Sequence, residues 1–288
     1  MNIEQYGINL LYALVCVTCM LVLKYALNIK AASGGEGSGY NSDEELSNGN
    51  LAVGLRRTGA QFGLAISIMG ALSGANAASL TQDLLSTAIY GLVSVGFILS
   101  SLLITDRFVL PGINNAAQLK ANNHAVGYVE FSMLVATGII AYSSIVGDGG
   151  TWLSSLAYFV TGQVSLVLLV FFYEKIRMRK FNILTAIAEG QVASGLYLGG
   201  KMIAYALILK SAIAGNAADT AFSTMAIEFV TLAISGMVIL FIFELVIDWL
   251  IITTTKVSSI LSKNEIVQAV QLAGAKIGLA MILSNSVL

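Results

Sequence analysis

Residues 46–63 read LSNGNLAVGLRRTGAQFG, and residues 119–136 read LKANNHAVGYVEFSMLVA. The two share an apolar anchor (Leu46, Leu119), a Gly or Asn three residues later (Gly49, Asn122), an Asn-x-Ala-Val-Gly opening and then an apolar run. The same frame fits 187–204, IAEGQVASGLYLGGKMIA, and 261–278, LSKNEIVQAVQLAGAKIG. Four starts thus fall at Asn50, Asn123, Gln191 and Glu265, spaced 73, 68 and 74 residues apart. Gly and Asn tolerate the left-handed conformation that closes a helix. Each unit therefore reads as a short helix anchored by Leu46, Leu119, Ile187 or Leu261 and stopped at Gly49, Asn122, Gly190 or Asn264. A polar cap-like residue and a long apolar helix follow, and recurrence at a fixed period marks an internal repeat.

The shared frame runs on into the long helices. A glycine stands four positions after three of the starts, at Gly54, Gly127 and Gly195. Nine and thirteen positions after the starts come Gly59 and Gly63, Ser132 and Ala136, Gly200 and Ala204, and Gly274 and Gly278. Lipid tails give no hydrophobic drive between helices, so small residues that let backbones touch must hold them together. The spacing predicts that these helices form the packed core and that the bulkier helices between them lie outside.

Composition sets the surroundings. The chain has 288 residues, 57% hydrophobic and 11% charged, with a mean hydropathy of +0.82. Soluble domains carry about 25% charged residues, so this is a multi-pass membrane protein. Apolar stretches of spanning length lie near 7–29, 50–73, 83–105, 123–146, 152–174, 190–213, 225–249 and 265–287. The expected fold is all-α, with eight transmembrane helices in four two-helix repeats, 1–78, 79–147, 148–218 and 219–288. These pair into halves 1–147 and 148–288. A single proline predicts straight helices. No Lys or Arg precedes the first apolar run, so that run is read as a retained span and not a signal peptide.

Charge gives the orientation. Connections at 73–83, 146–151 and 212–222 contain no Lys or Arg, whereas the others hold Lys30, Arg107, Lys120, Lys175, Arg177, Arg179, Lys180, Lys256 and Lys263. The positive-inside rule makes the second set cytoplasmic, which places both termini on the outer side of the membrane. Residues 30–49, KAASGGEGSGYNSDEELSNG, read as a flexible cytoplasmic linker.

Ionisable groups inside a span are the first functional candidates, and here they are Arg56, Arg57, Glu130, Lys201 and Lys276. Arg57 and Glu130 each stand seven positions after their starts, so they are expected to pair, with Arg56 reaching inner-leaflet phosphate. Lys201 and Lys276 stand ten and eleven positions after theirs, about 15 Å deep at the helical rise. Glu228, Glu244 and Asp248 fit interfacial positions. The one histidine, His124, rules out multi-histidine metal sites and relays, and Cys16 and Cys19 inside the first span read as packing residues. No metal site is expected. Nor does any nucleophile–histidine–acid set, Walker loop, dinucleotide fingerprint or potassium-filter string appear, so neither an enzyme nor a cofactor is expected. A net charge of −1 gives no footing for nucleic acid.

The openings Asn50-Leu-Ala-Val-Gly54 with Gly59 and Gly63, and Asn123-His-Ala-Val-Gly127, resemble those of the bacterial YjfL-like inner-membrane family. That is a domain of unknown function built from two-span repeats with an Asn-x-Ala motif. The chain resembles two members in tandem, with the third and fourth repeats departing at Gln191-Val-Ala and Glu265-Ile-Val. The resemblance brings no catalytic residues. It implies envelope maintenance, with ATP-grasp enzymes or membrane-stress proteins as partners. The expected function is a non-catalytic module that binds anionic lipid or a membrane-associated partner, compatible with a homo-oligomer. The alternative is a channel or transporter for a small anionic or uncharged solute between the repeat helices.

Overall fold

The computed structural model describes residues 3–34, 37–73, 79–146, 152–177, 181–213, 222–251 and 256–286. Among them the regular elements are all helices. Eight long helices are α1 (Ile3–Ala32), α3 (Leu51–Ser73), α4 (Leu80–Ile104), α6 (His124–Ile145), α7 (Trp152–Arg177), α9 (Val192–Ile213), α10 (Phe222–Ile251) and α12 (Ile266–Ser286). Four short ones are α2 (Ser42–Ser47), α5 (Asn115–Lys120), α8 (Ile183–Ala188) and α11 (Val257–Ser262). Six of the long helices, α1, α4, α6, α7, α9 and α12, are long and apolar enough to cross a membrane. The other two are α3, which carries Arg56 and Arg57, and α10, whose described apolar stretch is the shorter Val230–Phe243.

Each short helix ends as its sequence requires. Gly49, Asn122, Gly190 and Asn264 take φ of 80°, 57°, 84° and 53°. The residue that follows bonds back to the last turn: Asn50 N–H to Glu45 O, Asn123 N–H to Gln118 O, Gln191 N–H to Ala186 O and Glu265 N–H to Ile260 O, at 2.9–3.0 Å. This is the Schellman closure. It turns the chain from the short helix into the long one four times.

The four long helices so launched pack side by side in a row, α3 on α6, α6 on α9 and α9 on α12. All run the same way, because equal depths meet along each pair. Of the outer helices, α4 lies against α3 and α6, α7 against α6 and α9, and α10 against α9 and α12, while α1 packs on α3 and α4. The two inner helices of the row, α6 and α9, are largely buried.

Backbone contact holds the row. A Cβ built on Gly59 would stand 2.6 Å from the Phe131 Cα, and one on Gly127 2.9 Å from the Ala52 Cα. Gly63 and Gly138 abut directly, as do Gly195 and Ala125. Cβ atoms on Gly199 and Gly200 would meet the Cβ of Ser132 at 2.9 Å and that of Ala273 at 2.6 Å. Ala136 and Ala204 are fully buried. Two of the expected packing residues differ, since Gly274 and Gly278 have nothing within 4 Å of a built Cβ. They face away from α9, and the side of α12 that meets it is Ala269, Leu272, Ala273, Lys276 and Ala280.

The segment expected to be a linker is folded where it is described. α1 continues to Ala32, and residues 37–49 lie down on α3 and bury Tyr40. Asn41 caps α2 by accepting from Asp43 N–H at 3.1 Å, and Lys120 Nζ donates to the Gly37 and Gly39 carbonyls at 3.2 and 3.3 Å. A Gly/Ser-rich composition hides one buried aromatic and one cap, and those suffice to fix the segment.

Candidate functional site

The openings of the repeats form a joint between successive units. Asn50 Nδ2 donates to the Leu119 carbonyl at 2.9 Å and the Lys120 carbonyl at 3.4 Å, the last carbonyls of the next repeat's short helix. Asn123 Nδ2 does the same one repeat on, to Ile187 O at 2.9 Å and Ala188 O at 3.3 Å. A second tie runs from the alanine two positions after the start to the left-handed Asn of the next unit. Ala52 N–H donates to Asn122 Oδ1 at 3.1 Å, and Ala193 N–H to Asn264 Oδ1 at 2.9 Å. Asn50 and Asn123 are therefore inter-repeat clamps as well as caps. At the third joint Gln191 takes the place of the clamp and the alanine tie remains.

A charged cluster sits just above the first joint. Arg56 Nε lies 3.1 Å from Glu130 Oε2, with both side chains buried. The two atoms meet as an ion pair without the alignment of a hydrogen bond. Arg56 Nη1 donates to the Tyr40 hydroxyl at 3.1 Å. At the mouth of this cluster Lys30 pairs with Asp106 at 3.4 Å, and Asn115 donates to Asp106 at 2.7 Å. Asp106 lies in a π-helical turn, Thr105–Val109, that follows directly on α4. Burial pushes the Tyr40 phenol up from its ordinary value, against the pull of the Arg56 cation.

Arg57 belongs to a different cluster. The expected Arg57–Glu130 pair does not form; Arg57 binds Asp43 on α2 and Asn28 on α1. Asn28 also donates to Asp43 at 3.1 Å, and Lys24 lies 3.6 Å from the same carboxylate. The Arg57 hydrogen bond holds the Asp43 carboxyl below the ordinary aspartate range. Arg56 and Arg57 thus both have carboxylate partners within the chain, Arg56 toward the row and Arg57 toward α1. An intramembrane guanidinium costs roughly 2.5–3.5 kcal/mol on insertion scales, and these partners offset that cost.

Lys201 and Lys276 meet at the α9–α12 joint, away from the first two clusters. Both are 1% exposed. Lys276 Nζ lies 4.2 Å from the centre of the Tyr197 ring, and Lys201 Nζ lies 5.2 Å from it and 6.0 Å from that of Tyr205. The ring's negative face attracts a cation, so Tyr197 draws two ammonium groups toward one buried spot. The side chains of Glu228, Glu244 and Asp248 lie outside the described residues. The five candidate charges therefore form three separate groups. Two cavities are described: one of about 610 Å³ beside Asn28, Tyr40 and Ser42, and one of about 680 Å³ between α4 and α7. Neither lies between the helices of the row.

A family model described as Domain of Unknown Function (DUF350) matches residues 2–145 and again 149–287. The chain belongs to the DUF350 family. It holds two copies of that domain in tandem, as the resemblance of the Asn-x-Ala openings implies. No curated protein and no solved structure matches it. The first DUF350 copy contains the Arg56–Glu130 and Arg57–Asp43 clusters, and the second contains both lysines.

Three residue types escaped the sequence reading. Tyr40 and Asp43 sit in the segment whose composition reads as a linker. The asparagines that cap the short helices, Asn41, Asn114 and Asn182, each stand nine positions before a start. That signal was present in the same alignment. The fourth repeat has Lys256 there, with no side-chain cap.

Proposed function

We propose that this tandem DUF350 protein is a non-catalytic scaffold of the bacterial inner membrane, crossing it eight times with both termini periplasmic. It holds anionic lipid headgroups at its cytoplasmic end and offers that end to a membrane-associated partner in envelope maintenance. The observation that carries this reading is the set of exposed cations Arg107, Lys120, Lys256 and Lys263 beside the short helices. Each basic group near an anionic surface contributes about 1 kcal/mol. Backbone contact at Gly59, Gly63, Gly127 and Gly195 supports a static scaffold, since it draws α3, α6 and α9 tightly together. ATP-grasp enzymes and membrane-stress proteins are the partner classes to test first.

Two measurements decide it. Thermal stability in nanodiscs of phosphatidylglycerol should exceed that in phosphatidylcholine, and replacing the four exposed cations with Gln should erase the difference. Equal stability in both lipids overturns lipid binding. For topology, cysteines placed at Gly149 and Lys180, both outside the described residues, should label from opposite sides with an impermeant reagent. Labelling of both from one side overturns the eight-span arrangement.

A second reading rests on Lys201 and Lys276. Two buried cations converging on Tyr197 suit a passage for a small anion. Chloride flux in proteoliposomes that is lost in Lys276→Met would favour transport over a scaffold.

A further inference from the structure

The three joints of the row use one geometry. Each helix offers the next a forward face, made of positions two, nine and thirteen after its start. It receives the previous helix on a backward face, made of positions four, eight, eleven and fifteen. Ala52 meets Gly127 and Ala125 meets Gly195, position two on position four each time. Gly59 meets Phe131, Ser132 meets Gly199 and Gly200 meets Ala273, position nine on position eight. Gly63 meets Leu134 and Gly138, position thirteen on eleven and fifteen.

Two faces of this kind are left open. The forward face of α12 is Val267, 82% exposed, with Gly274 and Gly278, neither of which has an atom within 4 Å of a built Cβ. The backward face of α3 is Gly54, Thr58, Gln61 and Ala65, with Thr58 and Gln61 exposed. Of the atoms around Gly54, only the Leu46 side chain comes within 4 Å of a built Cβ. The faces at the two ends of the row are complementary in the sense that already operates three times inside it.

We propose that copies of this chain associate head to tail, with the forward face of α12 on the backward face of α3 of a second copy. In that fourth joint Gly274 meets Thr58, Gly278 meets Gln61 and Ala65, and Val267 meets Gly54. The row's helices are parallel, so the step that relates one repeat to the next keeps every copy upright in the same membrane. A two-fold contact of α12 on α12 would not continue this step. Head-to-tail contacts close into rings or run on as filaments.

The fourth joint is weaker than the other three, and its own residues say why. Glu265 stands where Asn50 and Asn123 donate to the next short helix, and a carboxylate has no proton to give to the Leu46 and Ser47 carbonyls that would face it. Val267 stands where Ala52, Ala125 and Ala193 let the backbones touch. Gly49, at the left-handed position of the receiving unit, has no side chain to accept from the Val267 N–H, a lack shared with Gly190 in the second joint, which keeps the Asn123 clamp. These departures make the contact reversible without closing the helix face within the membrane.

The test is disulfide trapping in native membranes, with Cys16 and Cys19 replaced by Ala. Thr58→Cys combined with Gly274→Cys should give a ladder of dimer, trimer and higher species on mild oxidation. Leu21→Cys with Gly274→Cys, on a lipid-facing side of α1, sets the level of random encounter. Adding Glu265→Asn and Val267→Ala should raise the trapped fraction several-fold. A ladder no stronger than the Leu21 control overturns the proposal, as does dimer from Gly274→Cys alone. An unchanged ladder after the Glu265→Asn, Val267→Ala exchange overturns the shared geometry.

Discussion

Arg56 on α3 and Glu130 on α6 meet at 3.1 Å although they stand one position apart in the repeat, six after one start and seven after the next. Parallel neighbours in a row touch through different faces, so contact pairs are offset in the repeat frame. Offsets of one or two positions likewise set position two on four and nine on eight.

The pair gives the first prediction. Both groups are buried, and removing one partner of a buried ion pair costs about 3–5 kcal/mol. Glu130→Gln should lower thermal stability in detergent strongly, and Glu130→Gln with Arg56→Gln should recover part of the loss. Arg57→Gln with Glu130→Gln should recover none. Rescue by Arg57→Gln in place of Arg56→Gln would contradict the pairing.

Asp43 gives a pH signature. Its folded-state pKa is depressed, by the Arg57 hydrogen bond first and also by Asn28, Arg57 and Lys24. A depressed carboxylate contributes stability that is full above its ordinary value of 3.8 and is lost as pH falls through the folded value. The melting difference between wild type and Asp43→Asn should hold from neutral pH down to that ordinary value and then close. A difference that instead shrinks near pH 7 would point to another group.

Two glycines of equal rank in the sequence should behave unlike each other. Gly59→Leu drives a side chain into the Phe131 backbone and should destabilise by about 3 kcal/mol or more, the upper range for overpacking. Gly274→Leu meets open space and should leave the melting temperature of the monomer in detergent within about 1 °C of wild type, since changes at open surface sites are small. Equal shifts would place α12 differently.

The clamp at Asn123 depends on its donor. Asn123→Asp keeps an oxygen to cap Ala125 N–H but presents a carboxylate to the Ile187 and Ala188 carbonyls. It should cost about 2–3 kcal/mol, as leaving buried polar groups unsatisfied does, and be no milder than Asn123→Ala. Stability loss on chemical unfolding checks this. A near-neutral Asp variant would show that capping alone matters.

Much of this was legible in the sequence because short-range chemistry wrote it. The left-handed stops, the anchors and the small residues at Gly59 and Gly63 all act within one or two turns of where they stand. What the sequence hid was which face of each helix meets which neighbour. Equal numbering suggested Arg57 for Glu130, whereas the offset between faces selects Arg56. Gly274 and Gly278 share the register of Gly59 and Gly63, but the face of α12 that meets α9 carries Ala273 and Lys276 instead. Tyr40 was hidden by its Gly- and Ser-rich surroundings, since composition averages over the single residue that anchors a segment.

The boundary between the two family copies, at residues 146–148, separates α6 from α7 in sequence but does not divide the folded body. The α6–α9 interface that crosses it packs as those within each copy do, and Asn123 reaching Ile187 repeats the Asn50–Leu119 clamp of the first copy. Gene halves cut at this boundary would therefore encode fragments that each display half of an interface. Co-expressed, such fragments should reassemble by complementation, because the seam never depended on the peptide that links them.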